Sequence, residues 1–253
     1  MSVAANRSLG LLLIALLLCS GGLGLNLSAR GYAAPADTSN TRFRPSSLIA
    51  PLTLTGIGAL GLTPWWEKNI NIPVNDWVHG IRGPHETVVD DVLQYLPLLA
   101  SVGLSLHKDY HEGWQDRIVL AATAFGLEVL IINGIKYSVC ETRPDGSADD
   151  SFPSGHTATA FAGAELIRME YGGWIGAAAY TAAAATAVLR VYNGEHWCND
   201  VLAGAGLGIL CAKAAFWLLP LERRALGKVS FLPYFATDPK NGATPAMALL
   251  VNF

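Results

Sequence analysis

The chain is dominated by a series of apolar stretches, 91–106, 117–137, 154–170, 174–191 and 200–219, set apart by short polar connections. Stretches of this length and composition form helices, and short connections make neighbours antiparallel. A bilayer span needs about 20 mostly apolar residues. Stretches 117–137 and 200–219 reach that length, 91–106 falls short, and 154–170 ends in Arg168 and Glu170. The expected fold is an all-α helical bundle of about six helices, embedded in a membrane. Composition agrees: 51% of the residues are hydrophobic and 15% charged, against about 25% charged in ordinary globular domains. The net charge of −3 gives no basic surface for nucleic acid, so none is expected as a partner.

The flanks divide the chain further. Residues 1–34 read as a signal peptide or N-terminal anchor: Arg7 precedes the apolar run Leu9–Leu18, and Gly31-Tyr32-Ala33-Ala34 offers a cleavage site. Residues 35–90 hold a polar linker, an apolar segment at 47–63, and an interfacial stretch carrying Trp65, Trp66 and Trp77. Residues 91–220 form the helical core. Residues 221–253 form a tail, in which two strand-like runs flank Asp238-Pro239-Lys240-Asn241-Gly242, the chemistry of a short C-terminal β-hairpin.

Three polar clusters lie at the ends of the core helices. Lys136 is followed by Arg143-Pro144; Pro144 ends the helix and turns the arginine outward. Pro153-Ser154-Gly155-His156 reads as a helix start, with Ser154 as N-cap and free N–H groups that suit an anion. Arg190 precedes His196 and Asp200, which are four apart and stack on one face if a helix begins near His196. Taken singly, these are snorkelling cations, a capped helix and a capping aspartate. Together they supply what phosphoryl transfer needs. Lys136, Arg143 and Arg190 would bind the dianion, His196 oriented by Asp200 would attack, and His156 would protonate the leaving oxygen.

These clusters resemble, in order, the motifs KxxxxxxRP, PSGH and SRxxxxxHxxxD of the type 2 phosphatidic acid phosphatase and vanadium haloperoxidase superfamily. Leu189 stands where the family usually has serine. The stretches ETRPDGS, SFPSGHTATAF and DVLAGAGLGI also resemble a Bacteroidetes branch that includes lipid A 4'-phosphatases. The resemblance implies catalysis by His196, His156 and Asp200 through a phosphohistidine. It implies phosphate binding by Lys136, Arg143, Ser154, Gly155 and Arg190, and no metal or other cofactor. It also implies a lipid phosphate monoester as substrate. The apolar composition points to membrane lipid as surroundings. Lys108, Arg117, Arg168, Arg223, Arg224 and Lys228 collect on one side, which puts the site at the periplasmic face of a bacterial inner membrane; a soluble periplasmic protein is the alternative. A vanadium-dependent haloperoxidase and a non-catalytic phospholipid headgroup binder are the alternatives.

Three further expectations concern single residues. Cys140 and Cys198 fall in two of the clusters and could form a disulfide in an oxidising compartment. Glu128 and Glu165 lie within apolar helices and should face the bundle interior, with Arg168 as a partner for Glu165.

Overall fold

The computed structural model describes residues 45–104, 114–226, 229–238 and 242–251. The expected signal or anchor at 1–34 lies outside the described residues. A 3-10 turn at Pro45–Leu48 leads into α1, Ile49–Leu60. The next helix, α2, runs over Pro64–Arg82 at 79° to the first. Pro64 occupies its first helical position, where the missing N–H costs nothing. A π-helical turn at Glu67–Asn71 interrupts it.

The expected 91–106 helix is instead two short ones, α3 (Val89–Leu93) and α4 (Leu96–Gly103). Pro97 is the reason: it fits the first turn of a new helix but not the interior of a continuous one. Four longer helices follow: α5 (Trp114–Val139), α6 (Gly155–Tyr171), α7 (Gly173–Asn193) and α8 (Cys198–Leu226). Strands β1 (Val229–Asp238) and β2 (Gly242–Val251) pair antiparallel in the tail, with Val229 opposite Val251 and Asp238 opposite Gly242.

At the centre lie α6 and the first half of α8. Every residue of α6 from Thr157 to Ile167 is buried. Phe161 packs edge-on against Tyr180 of α7, with ring centroids 5.7 Å apart, a favoured aromatic geometry. The two central helices approach closely because their contact residues are small. A Cβ on Gly204 would lie 2.4 Å from the carbonyl oxygen of Ser154, too close for any other residue.

α1 also lies against α8, with Gly58 pressed on Ala203. Trp66 and Trp77 of α2 pack against the core cluster, while Trp65 remains 65% exposed. Only Trp65 therefore keeps the exposed position expected of an interfacial tryptophan.

Among the described residues, three helices are long and apolar enough to cross a membrane, at Gln115–Val139, Gly173–Asn193 and Cys198–Ala225. The bent pair α1–α2 would make a fourth span or a re-entrant loop. α5 exposes Ile118, Phe125, Val129, Leu130 and Ile131, an apolar surface suited to lipid. This is a membrane helical bundle.

The inner charges are paired as expected. Glu165 takes hydrogen bonds from Arg168 at 2.6 and 2.7 Å and from the Tyr180 hydroxyl at 2.7 Å, and Lys213 lies 2.6 Å away. Glu128 accepts from Thr159 at 3.3 Å. The expected disulfide is absent: Cys140 is an exposed free thiol and Cys198 a buried one.

Candidate active site

The C-terminal ends of α5 and α7 and the N-terminal ends of α6 and α8 meet at one end of the bundle. The opposite end is marked by ion pairs joining Arg117 to Glu170 and Arg223 to Asp116. The loop from Cys140 to Ser154 closes over the site end. Its Arg143 N–H donates to Ala148 at 2.9 Å, and its Asp145 N–H donates to Gly194 at 3.1 Å. Trp197 Nε1 donates back to the Thr142 carbonyl at 2.9 Å. Gly194 itself ends α7 at φ 75°, a left-handed cap natural to glycine, and so turns the chain toward His196.

His196 sits two residues before α8 rather than within it. Its Nδ1 is 3.4 Å from Asp200 Oδ2. The same oxygen accepts the Trp197 backbone N–H at 2.8 Å and the Ser151 hydroxyl at 2.5 Å. Asp200 therefore caps α8 from its first turn and orients His196 with one carboxylate oxygen. With Nδ1 engaged, Nε2 is the nitrogen left for a ligand. Burial pushes the His196 imidazole below its ordinary pKa, with Arg190 and Lys136 adding to the shift and Asp200 opposing it. The neutral, nucleophilic form is thereby favoured.

A cavity of about 300 Å³ opens here, lined by Lys136, Arg143, Gly155, His156 and His196 among others. Phe125, Val129 and Ile132 of α5 continue its wall along the apolar helix face. His156, 28% exposed, places Nε2 3.1 Å from Asp91 Oδ1. Burial, helped by Arg190, pushes His156 down to about 4, against the pull of Asp91.

Two predicted residues lie behind this wall. Ser154 is fully buried: its Oγ accepts the Thr157 N–H as the N-cap of α6, 3.4 Å away. Arg190 is 2% exposed, donates to Asp90 at 2.7 Å and forms a charge pair with Glu195.

The cations are not bare. Asp150 contacts Lys136 and is 2.8 Å from Arg143. Glu195 bridges Arg143, at 3.3 Å, to Arg190. Burial alone would raise the Asp150 carboxyl, yet Arg143 and Lys136 bring it below the usual range. Glu195 is raised by burial despite its arginines. Sequence reasoning missed these acids, together with Asp90, Asp91 and Ser151. Their partners come from other helices or across the loop, so no helical spacing announces them.

The family described as PAP2 superfamily matches residues 117–224. Lipid A 1-phosphatase of Porphyromonas gingivalis is 40% identical over 157 residues, covering 58% of this chain and 35% of that protein. Bacitracin transport permease protein BcrC of Bacillus licheniformis is 39% identical over 74 residues, covering 28% of this chain and 35% of that protein. The chain thus spans about a third of the length of each of these curated relatives. Among solved structures, Aquifex aeolicus LpxE aligns with a TM-score of 0.45 at 23% identity, over 58% of this chain and 95% of that one. A PAP2-type phosphatidylglycerolphosphate phosphatase from Bacillus subtilis aligns with a TM-score of 0.39 at 19% identity, over 85% and 95%. Residues 117–224, which carry all three motifs, match the PAP2 superfamily.

Proposed function

We propose that this protein is a membrane phosphatase that hydrolyses a lipid phosphate monoester through a phosphohistidine on His196. One observation carries the proposal: His196, held by Asp200, shares a cavity wall with His156, Lys136 and Arg143. In the first step Nε2 of His196 bonds to phosphorus and the bond from phosphorus to the lipid oxygen breaks. His156 gives its proton to that oxygen. In the second step His156 takes a proton from water, the oxygen attacks phosphorus, and the P–N bond breaks to release phosphate. Lys136 and Arg143 neutralise the equatorial oxygens. Arg190 acts from behind the wall, and Gly155 lets the α6 N-terminus approach the anion.

Burial and Arg190 hold His156 neutral on its own at neutral pH. A phosphate dianion placed among these groups favours the imidazolium, so substrate charges the acid that then protonates its leaving group. No metal takes part in this scheme. Chelation by EDTA should leave activity intact, whereas vanadate, a mimic of pentavalent phosphorus, should inhibit. Activity lost in EDTA and restored by Mg²⁺ would refute it.

The lipid A phosphatase relative favours lipid A phosphate as the substrate. That relative is named for position 1, whereas the sequence stretches pointed to the 4' position. Mass spectrometry of lipid A from a deletion strain, with the two positions resolved, decides between them. Retention of wild-type lipid A would exclude both.

The site faces the periplasmic side of the inner membrane in this proposal, because Arg117, Arg168, Arg223 and Arg224 mark the other end. Cys140 offers a direct test, being an exposed thiol at the site end while Cys198 and Cys211 are buried. In a Cys19→Ser background it should react with a membrane-impermeant maleimide added to intact spheroplasts. Labelling only after lysis would reverse the orientation.

A further inference from the structure

The proposed nucleophile rests on Asp200, and Asp200 is only half accounted for. Its Oδ2 receives Ser151, Trp197 and His196. Among the described residues its Oδ1 is buried without a donor, and so is Oε2 of Glu141. Glu141 neighbours Asp200 and Asn199, whose Nδ2 is likewise buried without a partner among the described residues. Its position is fixed by the backbone, since the Glu141 carbonyl accepts the Ser151 N–H at 2.8 Å. Ser151 in turn donates its hydroxyl to Asp200. Two ionised carboxylates here would be two acceptors facing each other. A single proton removes the conflict, turning the contact into a short, charge-assisted O–H···O⁻ hydrogen bond.

We propose that Glu141 is a positioning residue that keeps a proton and donates it to Asp200 Oδ1. The other oxygen of Asp200 is then committed to orienting His196. The inference rests on the reading of His196 as nucleophile and adds a member to that array. Asp200 keeps its single negative charge, held by donors on both oxygens, and Glu141 never contacts substrate.

The surroundings agree with a retained proton. Burial first, then the charge of Asp200, pushes the Glu141 carboxyl up to about 9. Glu67, from α2, adds a further negative charge, and the Asn199 amide pulls the other way. Asn199 is itself held by Asn71 of α2 at 2.7 Å. His196 faces the same carboxylate from the cavity side, with Lys136 near Asp200 as well.

The test compares Glu141→Gln with Glu141→Leu in detergent-solubilised full-length protein, alongside wild type and His196→Ala. Glutamine supplies an N–H donor in the same place without an ionisable group; leucine supplies neither. Glu141→Gln should keep activity within about threefold at pH 7, while Glu141→Leu should lose about ten- to a hundredfold in kcat with little change in KM, as for a lost hydrogen bond to a charged group. The pH profile gives a readout that does not depend on how well the leucine variant folds. Wild type should lose activity on the alkaline side as Glu141 ionises near pH 9, and Glu141→Gln should not show that fall. An unchanged alkaline limb in Glu141→Gln, or Glu141→Leu as active as wild type, overturns the inference. If His196→Ala retains turnover, the phosphohistidine reading itself has failed. If His196→Ala is dead and the Glu141 variants behave like wild type, only the role of Glu141 has failed.

Discussion

Deep in the bundle, Glu165 gathers Arg168, Lys213 and Tyr180 around a carboxylate that is 1% exposed. At the end of the same bundle, Lys136, Arg143 and Arg190 meet Asp150, Glu195 and Asp91 around a cavity. Both clusters are built from the same residue types and both pair opposite charges. The difference lies in the acids. Glu165 is sealed on every side, so nothing can take its place. Asp150 and Asp91 are half exposed, at 45% and 56%, which leaves their cations open to the phosphate proposed above. A closed ion cluster is a structural pin, whereas exposed acids beside a histidine are what the proposed phosphate site requires.

Breaking the inner cluster should separate the two most strongly. Glu165→Ala strands Lys213 in the interior and removes the partner of Arg168, and should lower stability by about 3–5 kcal/mol. Its effect should appear in thermal melts in detergent, with activity per folded molecule little changed. Arg143→Ala should do the reverse. Melting should barely move, while kcat/KM falls about a hundred- to a thousandfold, as for loss of one preorganised donor. Gly204→Ala joins the clusters, because its methyl would strike the Ser154 carbonyl that starts α6. A loss of about 1–3 kcal/mol is expected, with activity falling as the α6 N-terminus shifts. Glu195→Gln is the finest test. In the proposed reading it removes an acid that competes with phosphate for Arg143, so KM should fall about two- to fivefold, the worth of a partly exposed ion pair. A rise in KM would mean that Glu195 positions the arginines rather than competing for them.

Legibility in the sequence followed the range of each contact. His196 and Asp200 meet at a spacing of four, Ser154 caps the helix it precedes, and Arg168 reaches Glu165 within one turn. Such local geometry is written in the order of residues. The helices of the core at 91–220 were legible for the same reason, except where Pro97 divided one of them. The acids that hold the site's cations were not legible. Asp90 reaches Arg190 across 100 positions, and Asp91 reaches His156 across 65. Only packing of α3 against α6 and α7 makes those contacts. Glu141 was visible as a letter in ETRP, but its significance depends on an unpaired oxygen of Asp200, which no spacing reveals.

The central claim is a covalent phosphate on His196, and trapping it is the most direct test. Enzyme mixed briefly with a radiolabelled lipid phosphate and quenched in alkali should carry label that is stable to base and released by acid. Peptide mapping should place it on the segment containing His196, and His196→Ala should carry none. Turnover without any phosphoenzyme, or label that persists in His196→Ala, would contradict the account.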